Sequence, residues 1–345
     1  MNCFDIRLLK EISSIYSPSS YEYGFQGHFA DILRVWGYDV RVDSCGNLFT
    51  EPSQGGKPSV LIMAHADHVA LQVKEITDGG FLKFRKIGGI DIHSFYGQDV
   101  VVLGKDGIVP GIIGRNPRDV NESESGFTIN TKSMWIDIGA SSIEEASRLV
   151  EVNDMALFRS NVTALGHDKF AMAAADDKLG VYCLLRLAEM LSAEREKSPF
   201  DICFALSAQE EIGCRGSKAL AMRLKPAYAI ILDVEYASDY PGGNGDIRLG
   251  GGPVLTDNAD NNPRLVDMAR KTGVTHQYAF TSEFCGCTDA ESFITNSPDT
   301  AVINIGIPLR NMHSAREVFD AGDLELTQRM AVSLIQSIIS KNGQN

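Results

Sequence analysis

Two adjacent carboxylates, Glu210 and Glu211, end an apolar run in FALSAQEEIGCRGS. One such acid can bind a metal ion while its neighbour takes a proton from metal-bound water. Four further segments carry related chemistry. MAHAD sets His65 and Asp67 at the end of an apolar run. Residues i and i+2 share a face of a strand, so His65 is a candidate ligand and Asp67 a candidate partner that orients it. His68 then points to the other face. AADDKLG places Asp176 and Asp177 directly before a helical pattern, as metal ligands or as capping anions. In AIILDVEYA, Asp233 ends a run that is apolar on both faces, where a charge is costly unless paired or metal-bound. Glu235 lies on the same face as Asp233. PLRNMHSAREVF brings in His313, flanked by Arg310 and Glu317.

Singly, each segment has an ordinary explanation: a surface histidine, a helix cap, a solvated charge pair. Together they give a histidine, an aspartate, a glutamate pair, a second aspartate and a second histidine, each beside the end of a predicted element. Mixed nitrogen and oxygen donors suit Zn²⁺, Co²⁺ or Mn²⁺. Five ligands exceed what one catalytic zinc with an open position takes, and fit two ions that share a bridging carboxylate. Other motifs fail. GGKPS at 55–59 lacks phosphate-loop spacing, and GGNG at 242–245 lacks the context of a dinucleotide fingerprint. There is no GxSxG. Cys285 and Cys287 have no zinc-finger partners in sequence, and His28, His93, His167 and His276 stand isolated.

The elements that must position these residues follow from periodicity. Phe4, Leu8, Leu9 and Ile12 predict a first helix, and Ser19 or Ser20 is placed to cap a second that ends near Gly37. Short strands are expected at 39–42, 48–50 and 59–65. From about 70 to 165 the texture becomes β-branched and punctuated by glycine, as in DVVVLGKDGIVPGIIG, predicting hairpins and a small barrel or sandwich. NPRDVNESESG (116–126) is polar and reads as a loop. After residue 175, strands at 200–207, 227–234 and 301–307 alternate with helical runs at 178–193, 217–224 and 323–341. Such alternation implies a helix-covered, mostly parallel sheet. The expected architecture is α/β: residues 1–69 and 166–345 form one domain, split by a β-rich, barrel-like insertion at 70–165.

Composition excludes several classes. With 345 residues, 44% apolar and 22% charged, the chain can build a sizeable core. A formal net charge of −13 speaks against nucleic acid and anionic membranes as partners. No run approaches the roughly 18 apolar residues of a membrane span. Charges at Asp5, Arg7, Lys10 and Glu11 break any signal-peptide core. Seven cysteines without a CxxC pair suit a reducing cytoplasm better than a disulfide framework.

The ordered set His-x-Asp, Asp-Asp-Lys-x-Gly, Gln-Glu-Glu-x-Gly-x-x-Gly, Leu-Asp-Val and Met-His-Ser resembles the glutamyl and deblocking aminopeptidase family of dinuclear metallopeptidases. That family includes the tetrahedral, self-compartmentalising aminopeptidases. The likeness extends through IGGIDIHSFYGQDVVV, DYPGGNGDIRLGGGP and TDAESF, and so covers nearly the whole chain. It implies a cytoplasmic aminopeptidase that removes N-terminal residues from peptides with two divalent ions per subunit, zinc or cobalt. His65 and Asp233 then bind one ion, Glu211 and His313 the other, and Asp176 bridges them. Glu210 is the general base and acid, and Asp67 supports His65. The insertion implies a homo-oligomer, of which a dodecamer is the family's form, with Phe81, Phe84 and Trp135 as aromatic candidates for its contacts. The family pattern has Met and Glu where this chain has Ala66 and His68, and Arg where it has Lys178. Arg310, three residues before His313, suggests a preference for an acidic first residue. The rival readings are a carboxypeptidase or amide deacylase with the same metals, and a catalytically silent assembly protein.

Overall fold

Strands apolar on both faces must lie inside a sheet covered on both sides, and β3 of this chain is such a strand. The computed structural model describes residues 4–53, 56–116, 131–193, 197–280 and 288–342. Residues 117–126 of the expected loop, and Cys3, Cys285 and Cys287, lie outside them. The chain runs through β1 (Val40–Val42), β2 (Leu48–Thr50) and β3 (Ser59–His65). It continues through β4 (Ala70–Ile76), β5 (Leu82–Ile87), β6 (Asp99–Gly104), β7 (Gly107–Arg115), β8 (Met134–Asp137) and β9 (Met155–Phe158). Next come β10 (Thr163–Ala164), β11 (Lys169–Met172), β12 (Asp201–Ser207) and β13 (Tyr228–Tyr236). The last four are β14 (Val254–Asp257), β15 (Gln277–Phe280), β16 (Ala301–Leu309) and β17 (Glu317–Asp320).

The large sheet has the order β1-β2-β12-β3-β13-β16-β14-β15. Its centre, β12-β3-β13-β16, is parallel throughout. The flanks are not: β2 runs antiparallel to β12, and β14 antiparallel to β16. Every residue of β3 is buried. Val60, Ile62 and Ala64 join one core with Leu179, Tyr182 and Leu334, while Leu61 and Met63 join another with Leu220 and Phe293. Successive side chains thus face helices 175–191 and 321–342 on one side and helices 215–224 and 289–296 on the other.

β4 to β9 close a six-stranded barrel in the order β4-β5-β8-β7-β6-β9. Leu71 and Val73, Leu82 and Phe84, and Val100 and Val102 point into its core, the alternation a closed barrel requires. The barrel-like expectation for this texture therefore matches what the strands do. A third sheet, β10-β11-β17, lies antiparallel and was not legible as strands.

The second helix differs from expectation. It runs Tyr23–Val35, its N-cap is Glu22, and no side chain caps it. Ser19 instead donates its hydroxyl to Asp67 Oδ2 at 2.6 Å. The hydroxyl is drawn to a buried carboxylate acceptor, and the N–H donors at the helix end are left without a side-chain acceptor.

Candidate active site

In open α/β sheets, ligand groups collect beyond the carboxyl ends of parallel strands. Here β3 ends at His65, paired in register with Ser207 of β12, and Asp233 sits near the end of β13 opposite Gly306. Glu210 and Glu211 follow β12, and His313 follows β16. All the predicted ligands therefore meet at one sheet edge. They line a cavity of about 450 Å³ with Gly89, Glu235, Asp260 and Glu291 among its other walls.

Asp176 is the centre of the cluster. Its Oδ1 lies 3.0 Å from His65 Nε2 and its Oδ2 lies 3.1 Å from His313 Nε2. Asp233 Oδ1 is 3.8 Å from His65 Nε2, and Glu211 Oε2 is 3.3 Å from His313 Nε2. Two groups of potential ligand atoms result, His65-Asp176-Asp233 and Asp176-Glu211-His313, and Asp176 belongs to both. Ligands about 2.1 Å from a tetrahedral ion lie ~3.4 Å apart, so separations of 3.0 to 3.8 Å suit a small divalent cation. Glu211 Oε1 is buried without a hydrogen-bond partner. Such an orphaned charge-bearing atom is costly unless a cation satisfies it. The donor set therefore fits two ions.

Electrostatics agree. Burial pushes Asp233 up to about 8, with His65 opposing and Asp176 adding to the shift. Burial also raises Glu210 well above the carboxylate range, and Asp289, Asp233 and Glu211 repel its charge further. Burial works against the charge of His313, but its bonds to Asp176 and Glu211 win and carry it up to about 11. Without ions, protons hold this crowd of carboxylates together. Cations can take their place.

Asp177 has another task. Its Oδ1 accepts from Gly180 N–H at 2.9 Å, capping the helix, and its Oδ2 accepts from His65 N–H at 3.2 Å. A Cβ on residue 180 would sit 2.3 Å from Asp177 Oδ2, which is why the motif carries glycine there. Asp67 also departs from expectation. His65 Nδ1 meets the backbone oxygen of Asp67 at 3.0 Å, while the carboxylate is 3.7 Å away. That carboxylate accepts the backbone N–H of Glu210 at 2.8 Å and of Glu211 at 3.3 Å. It anchors the glutamate pair more directly than it orients the histidine.

Sequence reasoning passed over Glu317 as a flanking residue. It is buried and accepts the backbone N–H of Asp176 at 3.1 Å and of His313 at 2.6 Å, fixing two ligand-bearing loops. Its local sequence, AREVFD, mixes charged and apolar residues and gives no signal of this role. His68 faces away from the ligands: its Nε2 accepts from Ser17 N–H at 3.3 Å, and burial, with Lys178 adding, lowers it to about 3. Arg310 is spoken for. Its guanidinium forks onto Asp239 at 2.7 and 2.5 Å, and it is absent from the cavity wall.

The sequence profile of the M42 glutamyl aminopeptidase family matches residues 46–330. The chain belongs to that family. This M42 peptidase is accordingly a metal-dependent aminopeptidase. It is 31% identical to the lysyl aminopeptidase of Pyrococcus furiosus over 344 residues, covering 97% of each chain. Its fold superposes on the aminopeptidase APDkam598 of Desulfurococcus kamchatkensis with a TM-score of 0.86 at 32% identity, covering 96% of this chain and 94% of that one. The TET1 peptidase of Pyrococcus horikoshii gives a TM-score of 0.83 at 31% identity, covering 95% and 98%.

Proposed function

We propose that this M42 peptidase holds two divalent ions, zinc or cobalt, on either side of Asp176, one with His65 and Asp233 and one with Glu211 and His313. The carrying observation is that the two oxygens of Asp176 each face a different histidine. Bound there, the ions supply Lewis-acid polarisation of the scissile carbonyl and an acidic water. The side chains do the rest. Glu210 takes the proton of the attacking water and returns it to the leaving amine. Asp67, through the Glu210 and Glu211 amides, keeps both acids at the strand end.

The substrate is a peptide with a free α-amine, which donates to the cavity carboxylates when protonated. An acetylated N-terminus has no charge to donate and adds bulk where the substrate must end. A site built on such a bond discriminates by up to ~10⁴-fold. For the first side chain, the Arg310 argument for acidic residues gives way. Lys218 is the one lysine or arginine among the described wall residues, against Glu235, Asp260 and Glu291. We propose lysine or arginine as the preferred first residue, in keeping with the lysyl aminopeptidase it is similar to.

Mass spectrometry of three peptide digests tests this. A Lys-first peptide is cut at its first bond, and its N-acetyl twin is inert within ~10⁴-fold. The Glu-first peptide is slower by at least ~10-fold in kcat/KM, about 1.4 kcal/mol. Release of acetate, or cleavage from the C-terminus, would favour the deacylase or carboxypeptidase reading instead.

Residues 70–165 are, in this reading, the unit through which subunits assemble and substrates gain access. The similar TET1 peptidase can assemble into a tetrahedron or a large octahedral shell. Phe84 is buried in the barrel core, so it serves folding rather than contact. Phe81 packs edge-on against Trp135 and stays 38% exposed, and Ile108 and Ile112 of β7 are exposed too, leaving apolar area for a second subunit. Light scattering should show a multimer, with a dodecamer expected. A fully active monomer would contradict this assignment. Unpaired Cys183, Cys203 and Cys214 support a reducing, cytoplasmic setting.

A further inference from the structure

Beside the two-ion cluster lies a third group of ligand atoms that the reaction does not use as such: Glu210, Cys214 and Asp289, all buried, with one donor atom each within 4.8 Å of the others. Cys214 Sγ lies 3.3 Å from Glu210 Oε1. Cys214 holds this place because it is the N-cap of helix 215–224 and its N–H donates to Glu210 O at 2.9 Å. Asp289 opens the helix Asp289–Asn296 and is 1% exposed. Ser207 donates its hydroxyl to Asp289 Oδ2, Ser217 lies near the carboxylate, and Oδ1 makes no hydrogen bond of normal geometry. A buried, unpartnered carboxylate oxygen on a residue that lies beside a second acid and a thiol calls for a cation. Glu210 and Cys214 also line the main cavity, so an ion can reach the place from solvent.

We propose that Glu210, Cys214 and Asp289 form a third divalent-cation site, selective for thiophilic ions such as Zn²⁺. One thiolate and two carboxylates are a borderline-soft donor set, which suits zinc and disfavours magnesium. Binding releases the thiol proton to solvent. The consequence for turnover rests on the proposed role of Glu210. An ion held there occupies the carboxylate that must accept the water proton, so excess zinc switches the enzyme off while the two working ions stay in place.

The test is a Co²⁺ titration of metal-depleted full-length protein, read by absorbance and by elemental analysis. The first two equivalents should enter without a sulfur signature, because neither two-ion ligand group contains sulfur. The third should bring a near-ultraviolet thiolate-to-cobalt charge-transfer band. Cys214→Ala should lose the band and the third equivalent and keep the first two. With Zn²⁺ in excess, the wild-type rate should fall toward the ~10²-fold loss of an absent general base, and the ratio of rates without and with excess zinc should return to one in Cys214→Ala. No third equivalent in the wild type, or a band that survives in Cys214→Ala, would overturn the site. A third ion that binds with its band but leaves the rate unchanged keeps the site and removes Glu210 from the role of base.

Discussion

Replacing Glu210 by Gln leaves both ions bound and lowers kcat by at least ~10²-fold, the usual contribution of a general base. Gln keeps the size of the side chain and can still meet Cys214 Sγ, which lies 3.3 Å from Oε1. It cannot accept a proton from water. Glu210 belongs to neither of the two groups that share Asp176, so the first two equivalents of metal should stay bound, and only an ion held with Cys214 and Asp289 should be weakened. Its own environment supports proton traffic: burial and the charges of Asp289, Asp233 and Glu211 raise its proton affinity. Steady-state kinetics with parallel elemental analysis decide the matter. Wild-type activity, or loss of either of the two ions that share Asp176, would mean that Glu210 is something other than the base.

Asp176→Ala should empty both metal positions, whereas His65→Ala should empty mainly one. The asymmetry follows from geometry. Asp176 reaches His65 with one oxygen and His313 with the other, while His65 faces only the group that holds Asp233. Removing Asp176 also leaves His65, His313 and the remaining acids without the charge that balances them. Breaking a buried ion cluster by deleting one partner costs on the order of 3–5 kcal/mol, so a thermal melt must accompany the metal count. Asp176→Asn, which keeps the shape but weakens ligation, separates lost ions from lost fold. Equal, single-site loss in Asp176→Ala and His65→Ala would contradict the bridge and direct attention to Asp177.

The predicted ligands were legible because each sits where an apolar run stops. Asp233 in AIILDVEYA and Glu210-Glu211 after FALSA announce themselves by chemistry that the preceding strand cannot tolerate. The central strands were legible for the same reason, since β3 and β13 carry apolar runs, VLIMA and AIIL, with clear ends. What stayed hidden depends on pairings between distant residues. Asp67 serves the Glu210 amide 143 residues away, and Arg310 is neutralised by Asp239 71 residues away. No local pattern reports such pairs, so Asp67 read as a histidine partner and Arg310 as a free cation. Glu317 was hidden in another way. Its neighbours mix charged and apolar residues, and its acceptance of two loop amides exists only once those loops meet. Ser19 was misread because helix capping is a local rule, while its actual partner, Asp67, lies 48 residues away, just past the end of β3.

The most direct test of the central claim is an anomalous-scattering map from crystals of the protein loaded with Zn²⁺ or Co²⁺. Two peaks are expected, with Asp176 contacting both, His65 and Asp233 completing one and Glu211 and His313 the other. A single peak, or two peaks that do not share Asp176, would contradict the account.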